Sequence, residues 1–392
     1  MKPSQKVAES GLEDARILVV DDLRSSRMMI TAILKSAGFT TIEEAEDGDL
    51  ALKKIQSWEP DIVILDIVMP NVDGYEVCQR VRNELNLAVP ILVQSSLSQP
   101  DEKVRAFSEG ASDIVSKPVD AGEMVSRVCL HLERDRLVKQ LQRYQTRMET
   151  ELKTAEQMQL ALLKTGEEAQ SIAEPYGLDI ESFYQASNQL GGDLWDVFEV
   201  DENRLGLILV DLSGHGVSSA INAFRVHLLL RQLKDLAGEP AAFMAALNDK
   251  LSEILPVQQF ATVFYCVWDR TNQTLRMSSA GAPYPVVLSS GGAARQLQVG
   301  GQIAGCKPGV VFEEQSVDLG PGDGIFLYSD ALYEDFDAPE NSLDAAQVTA
   351  LGEKGAAAQP GNRLPTIMQA AFPDQSKSFR DDLTLLFVSR RA

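Results

Sequence analysis

The chain has 392 residues, 44% of them hydrophobic, and a formal net charge of −21. That length predicts two or three domains with true cores. The acidity excludes DNA binding that works by neutralising phosphates with lysine and arginine, and suits basic protein partners or divalent cations, or simply an acidic cytoplasmic protein.

The N-terminal stretch MKPSQKVAESGLEDAR has no apolar core, so it reads as a flexible segment over residues 1–14 and not as a signal peptide. No apolar run is long enough to span a bilayer. Cys78, Cys129, Cys266 and Cys306 are scattered. They form neither a zinc signature nor a disulfide framework, which points to a reducing compartment.

Residues 15–132 alternate strand and helix patterns. ILVVDD is a continuous apolar run ending in acids, as buried parallel strands are. Ser25 to Ala37 has helical spacing, with Met28, Met29, Ile33 and Leu34 expected inward and Gly38 as the stop. DIVILDIVMP is a second buried strand and VPILVQSS a third. Glu102 to Gly110 reads as a helix, and ASDIVSKP as a short strand and turn. The pattern predicts a doubly wound α/β unit with its functional side chains at the carboxyl ends of the strands.

Residues 133–165 contain no proline or glycine. Leu137, Leu141, Tyr144, Met148, Ala155, Met158 and Leu162 follow alternating steps of four and three, with Glu151 in the same series. This seam fits a parallel two-helix coiled coil between protomers, or one long linker helix that packs on its own domains.

Residues 166–392 are rich in glycine and in strand-like runs: GLILVDLS, ATVFYCVWDR, TLRMSSAG, PVVLSS and GIFLYSDAL. RVHLLLRQLKDL and PAAFMAALNDKLSEIL are amphipathic helices, and Asp337 to Ser376 reads as helices joined by a mobile loop. Together these predict an α+β domain of stacked sheets with covering helices.

Two constellations carry chemistry. In the first, Asp21, Asp22 and Asp66 end strands, Ser95 ends another, and Lys117 precedes Pro118. Carboxylates crowded at adjacent strand ends repel unless a divalent cation binds, and hard oxygen ligands suit Mg2+. The combination resembles a two-component receiver domain. The resemblance implies that Asp66 is the phospho-acceptor and that Asp21, Asp22 and Asp66 hold Mg2+. It also implies that Ser95 and Lys117 form the switch, that Pro118 follows a cis bond, and that a histidine kinase or small phosphodonor supplies the phosphoryl group. Ile114 stands where receivers usually carry an aromatic residue.

In the second constellation acids lie in GGDLWDVF, VDLSGHG, LYSDAL and SFRDDLTLLF. Ser213 and His215 have the residue types of nucleophilic catalysis, but no third member can be placed. A phosphate-binding loop of the Walker type would need a lysine, and none is present. Ser218 and Ser219 could cap the next helix. Two metals sharing a carboxylate could instead activate water against a phosphate ester.

This order of motifs, with EQMQLALLK as a lead-in helix, resembles the PP2C-like phosphatases of the SpoIIE and RsbU subgroup. The resemblance implies that Asp211 bridges two Mn2+ or Mg2+ ions beside the Leu212 carbonyl. Asp193, Asp330 and Asp381 would complete the set, with Asp382 and His215 as lesser candidates. Ala331, Ala282 and Ala304–Gly305 depart from the subgroup's supporting motifs.

The whole chain also resembles RssB-type adaptors. That implies a regulator that binds the stationary-phase sigma factor and delivers it to the ClpXP protease while retaining a metal site. The alternative is an active serine/threonine phosphatase under receiver control, acting on an anti-sigma antagonist.

Overall fold

A computed structural model describes residues 7, 11–95, 100–214, 216–334, 342–373 and 379–392. The chain divides into two compact units, Met1–Met148 and Glu149–Ala392.

The first unit holds β1 (Ile17–Val20), α1 (Arg24–Ala37), β2 (Ile42–Ala45), α2 (Gly48–Trp58), β3 (Ile62–Asp66), α3 (Gly74–Asn83), β4 (Ile91–Ser95), α4 (Pro100–Ser108) and β5 (Asp113–Ser116). The strands form one parallel sheet in the order β2-β1-β3-β4-β5. Its central strands are buried end to end, as unbroken apolar runs must be when helices cover both faces. β2, with sequence IEEA, buries only Ala45. An edge strand of four residues with two glutamates leaves no apolar run to read, so it is absent from the strands expected above.

Helix α1 corrects one expectation. Its buried face is Arg27, Ile30, Leu34 and Ala37, while Met28 and Met29 point outward. The guanidinium of Arg27 occupies a core position because Nη1 donates to the carbonyls of Asp21 (2.8 Å) and Asp22 (3.2 Å). Gly38 closes the helix at φ 107°, a conformation open to glycine. Val7 and Leu12, within the segment expected to be flexible, are buried in the same core as Ile30 and Leu34.

Helix α5 runs unbroken from Ala121 to Leu160. The linker helix expected from Glu133 is therefore continuous with the last receiver helix. Leu137, Leu141, Tyr144 and Met158 of the seam are exposed.

The second unit continues with α6 (Gly166–Ala173), β6 (Leu178–Gln185), β7 (Leu194–Glu199), β8 (Arg204–Leu212), α7 (Val217–Gln232), α8 (Pro240–Ile254), β9 (Ala261–Asp269) and β10 (Thr274–Ala280). Then follow β11 (Val286–Leu288), β12 (Ala294–Gln296), β13 (Gln315–Asp318), β14 (Gly324–Tyr328), α9 (Ala345–Ala357), α10 (Arg363–Ala371) and β15 (Leu383–Arg390). Two antiparallel sheets, β13-β10-β9-β8-β7 and β12-β11-β14-β15-β6, enclose a shared core that includes Trp195, Phe264, Trp268, Leu327 and Leu386. Helices α7 and α8 cover the first sheet and α9 and α10 the second. The result is the expected stack of sheets between helices. No described helix is long and apolar enough to cross a membrane.

Candidate functional site

The carboxyl ends of β1, β3 and β4 converge as a doubly wound sheet requires. Each of Asp21, Asp22 and Asp66 brings one oxygen within 4.8 Å of the others. Asp21 and Asp66 are buried, and Asp22 faces outward. Asp21 is held by the Ser26 hydroxyl (2.6 Å) and the Leu23 amide (2.9 Å). Lys117 Nζ lies 2.8 Å from Asp66 and 3.2 Å from Asp21. Ser95 is buried at the end of β4, and its carbonyl accepts from the Lys117 amide (2.8 Å). The Lys117–Pro118 bond is cis.

Burial raises the Asp66 carboxyl above its ordinary range, against the opposing pull of Lys117. Burial also lowers the Lys117 ammonium, but Asp66 and Asp21 outweigh it and lift the group overall. Three carboxylates at this spacing fit a hard cation that keeps part of its water shell.

The second cluster forms at one edge of the stacked sheets. Asp193 enters β7, Asp211 lies near the end of β8, Asp330 follows β14, and Asp381 and Asp382 precede β15. Asp193 is buried and accepts from the Thr384 hydroxyl at 2.5 Å. Burial first, and then the charge of Asp211, push its carboxyl well above the ordinary range. Asp211 shares a hydrogen bond with Asp193, and burial with the charges of Asp330 and Asp381 lifts it to about 7. Burial and Asp381 lift Asp330 to about 6. The strongest charged neighbours of Asp193, Asp211 and Asp330 are other acids, as in a site that would be stabilised by cations.

Asp382 does different work. Its carboxylate accepts from the Ser187 amide (2.7 Å), the Ser187 hydroxyl (3.0 Å) and the Gly192 amide, so it holds the loop before Asp193. The two glycines of that loop permit close approaches. A Cβ at Gly192 would stand 2.8 Å from the Leu212 carbonyl oxygen, and one at Gly191 2.6 Å from Asp382 Oδ2. The Leu212 carbonyl therefore lies against the loop that carries Asp193.

Ala331 sits in a short 3-10 turn, Asp330–Leu332, and is not among the residues with positive φ. Alanine is thus compatible with the backbone that holds Asp330. Ser213 is tied to Phe260, whose amide donates to its hydroxyl (2.8 Å). Ser218 and Ser219 do not cap α7: the cap position is Gly216, and Ser219 donates back to the Gly216 carbonyl. His215 lies outside the described residues.

Sequence reasoning missed Gln159. It is buried on the last turn of α5, donates to the Gly191 carbonyl (2.6 Å) and accepts from the Gly191 amide (3.2 Å). Lys164 pairs with Asp196 of β7 next to this clamp. The signal was present in EQMQLALLK, where a glutamine one place off the apolar seam reads as solvated.

Comparison with known proteins agrees with this division. Residues 17–129 match the model for the response regulator receiver domain, and residues 201–391 match that for stage II sporulation protein E, SpoIIE. The chain is 34% identical over 113 residues to chemotaxis protein CheY of Bacillus subtilis, covering 29% of this chain and 93% of CheY. It is 36% identical over 120 residues to the DNA-binding dual master transcriptional regulator RpaA of Synechocystis, covering 30% of this chain and 49% of RpaA. The match thus spans about half the length of that relative. The SiaA-PP2C domain of Pseudomonas aeruginosa shares the fold at a TM-score of 0.54 and 17% identity, covering 63% of this chain and 97% of that domain. The chain belongs to the response-regulator receiver family through residues 17–129, and joins that domain to one that matches the SpoIIE model over residues 201–391 and shares the fold of a PP2C domain.

Proposed function

We propose that the chain is a phosphorylation-controlled, metal-dependent protein serine/threonine phosphatase of a sigma-factor pathway. A histidine kinase or small phosphodonor phosphorylates Asp66, and the second domain dephosphorylates an anti-sigma antagonist. The mutual elevation of Asp193, Asp211 and Asp330 carries this reading, since crowded buried carboxyls are stabilised by cations.

Two Mn2+ or Mg2+ ions held by Asp193, Asp211, Asp330 and Asp381, with the Leu212 carbonyl, would supply Lewis acidity and an activated water against a phosphate ester. The residues around them fix position. Thr384 orients Asp193, Asp382 pins the glycine loop, and Gln159 ties that loop to the end of α5. A shift of the last turn of α5 would move Gly191 and, two residues on, Asp193. In the first domain Asp21 and Asp22 join Asp66 in holding Mg2+, while Ser95 and Lys117 meet the phosphoryl oxygens. The exposed seam on α5 pairs two protomers.

One observation favours a second reading. Among the described residues, only Asp21, Asp22 and Asp66 bring three ligand atoms within 4.8 Å, and the second cluster is looser. An RssB-like adaptor that carries a sigma factor to ClpXP would tolerate such a site.

The deciding experiment is phosphate release from a phosphoserine protein substrate with Mn2+. Release that Asp211→Asn abolishes supports the phosphatase. Absence of release, together with sigma-factor capture that depends on Asp66, would establish the adaptor in its place. Leu141→Lys should halve the mass in sedimentation, and unchanged mass would remove the α5 pairing.

A further inference from the structure

We propose that the outer edge of β6 is a docking groove that takes an extended segment of a protein partner as an added strand. β6 is the last strand of its sheet, paired on one side with β15. On its other side the Ile180 amide donates to Gln170 Oε1 (2.8 Å), and the Leu178 carbonyl accepts from Gln170 Nε2 (3.3 Å). Backbone groups along a strand alternate sides with a period of two. Ser182 and Tyr184 therefore present their amides and carbonyls outward as well. These groups find no hydrogen-bond partner among the described residues. The segment Ser182–Gln185 is only partly covered, and it lacks the proline or charge with which edge strands are usually blunted. The acid beside this segment in the strand, Glu181, is occupied by the amides of Gly361 (2.8 Å), Arg363 (3.0 Å) and Leu364 (3.2 Å).

This open edge is the floor of a cavity of about 1020 Å3. One wall is the start of α6, where Gly166 has no side chain and even an added Cβ would stand 3.7 Å from Ser182 Oγ. The other is α10 and its flank, with Leu364, Met368, Phe372 and Phe379. Apolar walls beside unpaired backbone amides match the chemistry of strand addition, in which main-chain bonds give affinity and alternate side chains fill the pocket. The occupant must be a loose strand. A second copy of this domain carries its own β6 recessed between the same two walls, so the two floors cannot meet. Glu167 at the rim and the net charge of −21 favour a segment with lysine or arginine between its apolar residues. The inference stands whether or not the acid cluster hydrolyses phosphate.

The test uses the full chain and a fluorescent octapeptide that alternates valine with lysine, beside the same peptide N-methylated at every amide, so that neither of its edges can pair. The unmodified peptide should bind and slow hydrogen exchange at the Ser182 and Tyr184 amides. N-methylation, and separately Ser182→Pro, should each weaken binding about tenfold, as the loss of one or two backbone bonds requires. The Ser182 amide points away from β15, so proline there spares the sheet pairing. Exchange in the wild-type protein reads the site without any variant. Absence of binding, equal binding of the N-methylated peptide, unchanged exchange at both amides, or protection of those amides by self-association of the free protein would each overturn the proposal.

Discussion

The two domains gather the same ingredient, strand-end aspartates, and treat it differently. In the receiver, Lys117 Nζ sits between Asp21 and Asp66, so a fixed cation is part of the site. In the second domain the acids face one another, and their protons take the place of that lysine. The first site can hold its charge before any metal arrives. A metal bound in the second would have to displace protons from Asp193 and Asp211, which would tie its affinity to pH.

The largest effect should come from Asp211→Asn. Removing the acid at the centre of the second cluster should weaken Mn2+ binding by about a hundredfold in calorimetry, with receiver phosphorylation untouched. Equal Mn2+ affinity would place the metal elsewhere. Lys117→Met converts the first site into the second kind. Asp66 then loses the neighbour that lowers it and its carboxyl rises further, so Mg2+ affinity should depend on pH more steeply than in the wild type. A flat pH response would mean that the lysine does not set the charge of the site.

In chelator, the comparison predicts opposite needs. The folded-state value of about 7 for Asp211 lies above its ordinary 3.8, so the folded protein holds that proton the more tightly. In the metal-free protein the contribution of Asp211 to stability should be full below about pH 4 and be lost as pH rises through about 7, lowering Tm, and Mn2+ should reverse the loss. A Tm that climbs over this range without metal would contradict the clustering. The smallest effect belongs to Gln159→Ala, which leaves the buried Gly191 amide and carbonyl unpaired. It should cost about 1 to 3 kcal/mol in denaturant unfolding and lower Mn2+ affinity several-fold. Unchanged affinity at reduced stability would show that the clamp does not reach Asp193.

The same contrast explains what could be read from the sequence. ILVV, IVILD and ILVQS are buried runs that end at or just before candidate site residues, so the receiver sheet and the place of Asp66 at a strand end were legible without structure. The carboxylates of the second domain were legible as motifs for the same reason. The residues that support them were not. Arg27 and Gln159 are polar side chains in buried helix positions, where periodicity alone expects apolar ones, and each is explained only by the carbonyl it meets. β6, β12 and β13 were missed because their patterns are short or half-buried. Asp382 could not be told from Asp381 until the loop it holds was in place, since Ser187 and Gly192 lie about half the chain away.

That separation has a kinetic side. β15 is the last strand in sequence, yet it lies between β14 and β6, and Thr384 at its start donates to Asp193, 191 positions earlier. Contacts of such long sequence separation form late, after the loop-closure entropy has been met. During synthesis the earlier acids emerge well before the strand that completes their site. Because β6 pairs within its sheet only with β15, the second sheet and the acid cluster are completed only when β15 inserts.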